Sequence, residues 1–320
     1  MRTLLLMAVG LCAGSLGMSA ELRIGIIGCD TSHATAFTET LNNPGAPGHI
    51  EGGKVVAAFK GGSPDVQESA SRVGQYAQTL RDKYGVKFYD RIEDLCQAVD
   101  VILLESVDGR PHLAQVKPVL AARKPVFVDK PLAGSLRDAA EIIQLAKAAK
   151  VPLFSSSGLR FAKSTQAVRQ GSIGKVVSVE TWGPCSVEPH HPELFWYGIH
   201  GLEAIYTILG LGCVSVQRGT NAEGKIEVVG LWPDGRCGVF REDKSFHGRA
   251  KGEKGEAEAG TFDGYTPLLA EVMKFFQTGV APVPPEETIE LFAFMEAAEA
   301  SKRQGGAPVR IATILKKNGL

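Results

Sequence analysis

The chain contains 320 residues, of which 44% are hydrophobic and 22% are charged, as in a globular protein with ample material for a core. Lysine and arginine total 35 residues, and aspartate and glutamate also total 35, so the formal net charge is zero. This balance provides no basic field for nucleic acid or an anionic membrane, and it favours a small-molecule ligand.

The N-terminal segment differs from the rest of the chain. Arg2 is followed by an apolar run and then by small residues that end at Ala20. This is the layout of a secretory signal peptide, and the apolar run is too short to span a bilayer. The sequence therefore predicts a signal peptide over residues 1–20 and an exported, periplasmic protein without a membrane span.

Strand-like and helical segments alternate through the next part of the chain. The apolar segments are ELRIGIIG, KVVAAF, VKFYD, VDVILLES, PVFVDKPL and VPLFSSS, and helix-forming stretches separate them. Such alternation predicts an α/β domain with a doubly wound parallel sheet over residues 21–157.

The pattern changes after Ser157. Four strand-like segments follow closely on one another: KVVSVETWGP, VSVQRGTN, KIEVVGLWPDG and RCGVFRED. Two amphipathic helices come after them. Closely spaced strands with turns between them predict a second, α+β domain over residues 158–320, built on an open and mostly antiparallel sheet.

The segment VFVDKPLAG is the most informative one in the chain. Its apolar strand ends at Asp129, Lys130 and Pro131. Ligands bind at the carboxyl ends of parallel strands, so we expect Lys130 at the mouth of a crevice. The alternative is a solvated lysine on an ordinary strand-to-helix turn.

Read in order, several motifs resemble the glucose–fructose oxidoreductase / inositol dehydrogenase (Gfo/Idh/MocA) family. They are VDVILLES, RPHLAQVKPVLAARKPVFVDKPLAGSLRDAAEI, LFSSSGLRF, VRQGSIGKVVSVE and YGIHGLEAIYTILG. The resemblance implies an N-terminal Rossmann domain, a C-terminal domain whose sheet covers the active site, and NAD(P)-dependent chemistry on a carbohydrate or cyclitol. It also implies a homo-oligomer that pairs through the C-terminal sheet.

The resemblance implies particular site residues as well. Lys130 matches the lysine of the family's Glu-Lys-Pro motif, with Asp129 in the acid position, and His200 matches the active-site histidine. Lys130 would stabilise a developing alkoxide, and a neutral His200 would accept a proton. Contacts to NAD or NADP are expected at Gly28, Asp30, Ser32, His33, Lys60, Ser106, Asp129 and Lys130.

The glycine loop departs from the family pattern. Asp30 and His33 replace the second and third glycines of G-x-G-x-x-G, and a carboxylate at Asp30 would repel phosphates. Asp30 and Ser32 could cap the following helix, or Asp30 and His33 could face the crevice as polar contacts. The second strand ends at Lys60, which with Ser63 could receive the 2′-phosphate of NADP or form a solvated turn.

The catalytic motif also departs from the family. Trp196 stands where an aspartate is common, four residues before His200, and its indole can stack on a sugar face. Glu203 would share a helix side with His200 and orient the imidazole, or it is an ordinary polar residue.

The segment around these residues is rich in histidine and glutamate, and we expect a substrate-facing loop rather than a metal site. Arg160 is expected to contact substrate or cofactor, with an interdomain ion pair as the alternative. The expected substrate contacts are Arg160, His190, His191, Trp196, Tyr197 and Glu203.

Three functions remain open at this point. The first is an NAD(P)-dependent oxidoreductase that uses Lys130 and His200. The second is a carbohydrate-binding protein on the same fold without redox turnover, which the substitutions at Asp30, His33 and Trp196 favour. The third is non-redox or metal-assisted sugar chemistry through the histidine-rich loop.

Overall fold

A computed structural model describes residues 21–320. The predicted signal peptide over residues 1–20 lies outside the described residues. Within the described part of the chain, no helix has both the length and the apolar character that crossing a membrane requires.

The N-terminal domain contains a six-stranded sheet in the order β3-β2-β1-β4-β5-β6, and every neighbouring pair is parallel. This confirms the predicted doubly wound sheet. The strand order reverses between β1 and β4, where a crevice forms at the carboxyl edge. The strands are β1 (Leu22–Ile27), β2 (Gly53–Phe59), β3 (Lys87–Tyr89), β4 (Val101–Leu104), β5 (Val126–Asp129) and β6 (Leu153–Ser156).

Five helices connect these strands: α1 (Ser32–Asn42), α2 (Gln67–Tyr84), α3 (Ile92–Ala98), α4 (His112–Ala121) and α5 (Leu136–Ala149). Gly85 ends α2 in the left-handed conformation, and the side chain of Ser135 caps α5. The cap of α1 differs from the prediction. Thr31, rather than Asp30 or Ser32, accepts a hydrogen bond from the backbone N–H of His33.

The C-terminal domain contains a seven-stranded sheet in the order β12-β11-β7-β10-β9-β8-β13. Only the β7–β10 pair is parallel among its described pairings, so the sheet is mostly antiparallel, as expected. The hairpin of β11 and β12 was not predicted. The strands are β7 (Val176–Gly183), β8 (Ser215–Thr220), β9 (Ile226–Leu231), β10 (Cys237–Glu242), β11 (His247–Gly252), β12 (Gly255–Glu258) and β13 (Val309–Arg310).

Helices of the C-terminal half lie against both sheets. They are α6 (Lys163–Arg169), α7 (Ile199–Leu209), α8 (Thr266–Thr278), α9 (Pro285–Arg303) and α10 (Ile311–Lys317). Helix α8 returns to the first domain and buries Leu268, Val272 and Phe275 in the same core as Ile26 and Phe37. Each such side chain contributes about 1.5–3 kcal/mol by burial, so α8 anchors the C-terminal half of the chain to the first domain beside the crevice.

A substitution in the turn after β1 would test how closely the crevice is packed. Gly28 has a φ of 91°, and a Cβ there would lie 2.4 Å from the backbone nitrogen of Ser106. We predict that Gly28→Ala lowers the free energy of unfolding by about 2–5 kcal/mol, because it adds a backbone clash to left-handed strain. Urea unfolding followed by circular dichroism measures this loss.

Gly74→Ala is the matched control. Gly74 is an exposed residue within α2, and nothing lies within 4 Å of a Cβ at this position. The substitution should stabilise the protein by about 0.5–1 kcal/mol, since alanine loses less backbone entropy in a helix. Equal effects of the two substitutions would contradict the described packing at Gly28.

Candidate active site

A cleft of about 250 Å³ lies where the start of α1, the carboxyl end of β5 and α7 meet. Both Lys130 and His200 line it, so the structure brings the two predicted catalytic residues together across the two domains. Aromatic and polar side chains from both domains share the lining. They include Thr31, Ser32, His33, Arg72, Trp196, Tyr197, Phe246, Phe262 and Tyr265.

The imidazole of His200 is held by a neighbour from the first domain. Its Nδ1 lies 2.7 Å from Oγ of Ser157, at the end of the segment that leaves β6. Burial, and then the positive charge of Lys130, lower the pKa of His200 well below its ordinary value. The ring is therefore neutral near pH 7 and can accept a proton.

The aromatic residues Trp196 and Tyr197 reach the cleft from a π-helical turn, Leu194–Gly198, that leads directly into α7. Such turns insert an extra residue and often occur at functional sites. The ring centroid of Tyr197 lies 5.6 Å from Nζ of Lys130. Both aromatic residues were expected at a substrate site, and both line the cleft.

Arg160 and Glu203 do not line the cleft, which corrects their assignment to substrate contacts. Arg160 is buried and pairs with Glu203 at 2.7 Å and with Glu287 at 2.5 Å. Glu203 also accepts hydrogen bonds from Ser156 and from the backbone N–H of Ser157. Glu203 therefore positions the segment that carries Ser157 and does not orient the imidazole directly. Arg160 therefore forms a buried ion pair, which was the alternative to a ligand contact.

The paired histidines also lie away from the cleft. His191 is buried with Nε2 3.0 Å from Oδ1 of Asp108, and His190 is half-exposed beside Glu188. Burial alone would raise the pKa of Asp108, but hydrogen bonds from His191, Arg110 and Ser63 outweigh burial and hold the pKa below its ordinary value. This loop therefore fastens the two domains, which corrects its assignment to substrate.

Asp30 does not face the crevice. Its carboxylate is fully buried and accepts hydrogen bonds from Oγ of Ser69 at 2.6 Å and from the backbone N–H of Val107 at 3.1 Å. Ser106 is also buried, and its hydroxyl donates to Gln115. Neither side chain is available to a ligand in this arrangement, in contrast to the expected cofactor contacts.

The end of β2 offers a separate hollow. Lys60, Gly61, Gly62 and Tyr89 are among its lining residues. The hydroxyl of Ser63 donates to Asp108 at 2.6 Å, so it is engaged and does not join Lys60 in a site for a 2′-phosphate.

A dinucleotide would fit the two ends of this crevice but not its middle. Its nicotinamide end would meet Ser32 and Lys130 in the cleft, and its adenosine end would meet the hollow near Lys60. Between them in the sequence, Ser63 donates a hydrogen bond to Asp108, and Ser69 donates one to Asp30 in the loop that receives the pyrophosphate in the family pattern. In the described conformation, this part of the crevice therefore does not fit the pyrophosphate of a dinucleotide.

Three further side chains meet at the floor of the cleft. His33 lines it, and its Nδ1 lies 2.8 Å from Oδ2 of Asp129 and 3.8 Å from Oε2 of Glu105. Glu105 was missed in the sequence, although β4 runs into this acid just as β5 runs into Asp129. Ser157 was missed too, because only the fold brings it to His200.

Comparison with known proteins supports the assignment of the first domain. Residues 22–157 match the sequence model of the Gfo/Idh/MocA family, described as an oxidoreductase family with an NAD-binding Rossmann fold. This match confirms the predicted resemblance for the first domain. A curated relative, inositol 2-dehydrogenase of Corynebacterium glutamicum, is 28% identical over 130 residues. The aligned segment covers 40% of this chain and 34% of that relative's length.

Solved structures share the whole architecture. A probable dehydrogenase from Thermotoga maritima matches with a TM-score of 0.73 and 22% identity, covering 92% of this chain and 100% of its own. The scyllo-inositol dehydrogenase from Lactobacillus casei, solved with NAD(H) and scyllo-inositol, matches with a TM-score of 0.73 and 15% identity, covering 91% and 99%. At these identities, the likeness establishes the two-domain fold.

We predict that the buried, neutral His200 makes the protein acid-sensitive. Below its ordinary pKa of about 6.5, the unfolded chain binds a proton that the folded protein excludes. So far as His200 determines it, the free energy of unfolding therefore keeps its full value above that pH and decreases as the pH falls below it. His200→Gln should weaken the decline in unfolding free energy between about pH 6.5 and pH 5, by up to about 1.4 kcal/mol per unit.

Urea unfolding at several pH values measures this slope. The matched control is His247→Gln, because the His247 side chain is 47% exposed. The control should keep the wild-type slope. An unchanged slope in His200→Gln would contradict a neutral, buried imidazole.

Proposed function

We propose that this protein is an NAD(P)-dependent oxidoreductase of a sugar or cyclitol, because residues 22–157 match the sequence model of an oxidoreductase family with an NAD-binding Rossmann fold. The observation that carries the proposal is the shared cleft of Lys130 and His200. A cavity of about 250 Å³ is smaller than the ~300–1,000 Å³ of drug-sized ligand sites, which suits a small polyol. Structural neighbours include myo-inositol and scyllo-inositol dehydrogenases.

The roles of the cleft residues follow from their chemistry. The ammonium of Lys130 would donate a hydrogen bond to the reacting hydroxyl oxygen and favour its negatively charged form. His200, neutral and held through Nδ1 by Ser157, would accept the hydroxyl proton at Nε2. The rings of Trp196 and Tyr197 offer apolar faces for the C–H groups of a sugar.

The family's cofactor places a condition on this proposal. Binding of an entire NAD or NADP requires the segment from Ser63 to Ser69 to move away from Asp30 and Asp108. Lys60, which lines the hollow at the end of β2, is the cation that would then meet a 2′-phosphate there.

The hydrogen bonds that Ser63 and Ser69 donate to Asp108 and Asp30 also favour a second function. A protein that binds a carbohydrate without redox turnover would need the cleft but no path for a pyrophosphate. The fully hydrogen-bonded, buried carboxylate of Asp30 supports this alternative.

We also propose export to the periplasm and assembly through the C-terminal sheet. The layout of residues 1–20 supports export. Assembly through the C-terminal sheet is what the family resemblance implies, and such pairing would cover Val177 and Leu231, which are each 48% exposed on strands of that sheet.

Turnover with a polyol tests the main proposal. Purified protein with NAD⁺ or NADP⁺ and myo-inositol or scyllo-inositol should produce reduced nicotinamide, followed at its absorbance band. Lys130→Ala should lower kcat/KM by about 100-fold or more, since it removes a preorganised charge at the developing alkoxide. Lys147→Ala, at an exposed position of α5, is the control and should keep full activity.

Fluorescence titration distinguishes the two functions. Binding of a polyol without binding of NAD(H) or NADP(H) would reject the oxidoreductase and favour the binding protein. Cofactor binding with equal turnover in wild type and Lys130→Ala would reject the role of Lys130 alone.

Export is tested by expressing the 320-residue chain in a Gram-negative host. We predict that the protein recovered from the periplasm begins near Glu21, as intact-mass spectrometry would measure. Protein that stays in the cytoplasm with residues 1–20 attached would contradict export.

A further inference from the structure

A buried acid–histidine cluster lies under the cleft, in the first domain. It consists of His33 in the first turn of α1, Glu105 directly after β4 and Asp129 at the end of β5. One ligand atom from each residue lies within 4.8 Å of the other two. All three side chains are buried, and the proton-transfer scheme for Lys130 and His200 leaves all three without a chemical role.

Glu105 is the unusual member. It is fully buried, and neither carboxylate oxygen has a hydrogen-bond partner. Within residues 21–320, no lysine or arginine nitrogen comes within 4.0 Å of Glu105 or Asp129. An isolated buried carboxylate is costly, and it normally pairs, is neutralised or binds a metal ion.

The contact between His33 and Asp129 is unusual in a related way. Nδ1 of His33 lies 2.8 Å from Oδ2 of Asp129, yet Nδ1 has no hydrogen-bond partner of acceptable geometry. Two ligands that share a metal ion at about 2.0–2.2 Å are themselves about 3 Å apart, without pointing at each other. The separation therefore suits two atoms directed at a common third point.

Protonation would not resolve this arrangement. Burial, and then the charge of Asp129, raise the pKa of Glu105 well above its ordinary value. However, a protonated Glu105 would still have a hydroxyl and a carbonyl oxygen without partners, so the cost of burying an unsatisfied polar group would remain. A cation bound by one oxygen of Glu105 and one oxygen of Asp129 would compensate the charges of both acids, which protonation of Glu105 alone does not do.

We propose that His33, Glu105 and Asp129 form a divalent-cation site of the Mn²⁺ or Zn²⁺ class at the floor of the cleft. One imidazole nitrogen with two carboxylates is a donor set suited to these ions. Three protein ligands leave coordination positions open, as in catalytic rather than structural sites. Because His33 lines the cleft, the ion can receive an oxygen of a bound polyol or hydroxy acid.

This assignment differs from the sequence-based expectation of no metal, and it does not use the histidine-rich loop. It stands independently of hydride transfer, since ion binding is measurable without turnover. A non-dehydrogenase could hold the ion, and a dehydrogenase could lack it.

Metal content and affinity test the site directly. The chain is purified without chelators and analysed for bound metals, and chelator-treated protein is then titrated with Mn²⁺ and with Zn²⁺ by calorimetry. We expect one ion per chain with at least micromolar affinity for one of the two. Glu105→Gln, nearly isosteric, should weaken binding by about 100-fold or more, and Asp129→Asn should do the same.

His190→Ala is the matched control, because His190 belongs to the histidine-rich loop and lies outside the cluster. It should bind the ion like wild type. Circular dichroism establishes that each variant is folded. The proposal is overturned if folded wild type binds neither ion at micromolar concentration, or if His190→Ala abolishes binding while Glu105→Gln preserves it.

Discussion

The need to compensate buried carboxylates at the carboxyl edge of the parallel sheet shapes the whole cleft. Strands β1, β4 and β5 each lead into an acid: Asp30, Glu105 and Asp129. Asp30 accepts hydrogen bonds from Ser69 and from the backbone N–H of Val107. Because Ser69 lies at the start of α2, its hydrogen bond holds that end of the helix against the crevice. Asp129 accepts a hydrogen bond from the backbone N–H of Lys130, whereas Glu105 has no hydrogen-bond partner, and the cation that we propose would compensate both acids. How each acid is compensated therefore determines what the edge can bind.

Ser157 links the two domains at the point where the cleft forms. Its hydroxyl holds His200, and its backbone N–H donates to Glu203, which in turn pairs with Arg160. A buried ion pair of this kind is costly to break, because removing one partner leaves a desolvated charge. The network fixes the position of the imidazole without touching the ligand space. Precise placement of a proton acceptor thus rests on side chains that a substrate never meets.

The sequence was sufficient for the architecture and for the central pair. Apolar periodicity located the parallel sheet, and the order of motifs placed Lys130 and His200 at one cleft. What it did not reveal depends on contacts between distant segments. Asp30 and Ser69 are 39 residues apart, so the hydrogen bond between them is invisible to local patterns. Arg160 was read as a ligand contact because charge alone does not distinguish a cleft from a buried ion pair. Glu105, by contrast, could have been found from the sequence, because it directly follows an apolar strand, β4.

The central claim is that Lys130 and His200 hold a small polyol between them, across two domains. An experimental structure of the protein crystallised with saturating myo-inositol tests it most directly. The account predicts polyol density in the cleft, with one hydroxyl oxygen within hydrogen-bond distance of both Nζ of Lys130 and Nε2 of His200. Polyol bound elsewhere, or the two side chains in separate cavities, would contradict it.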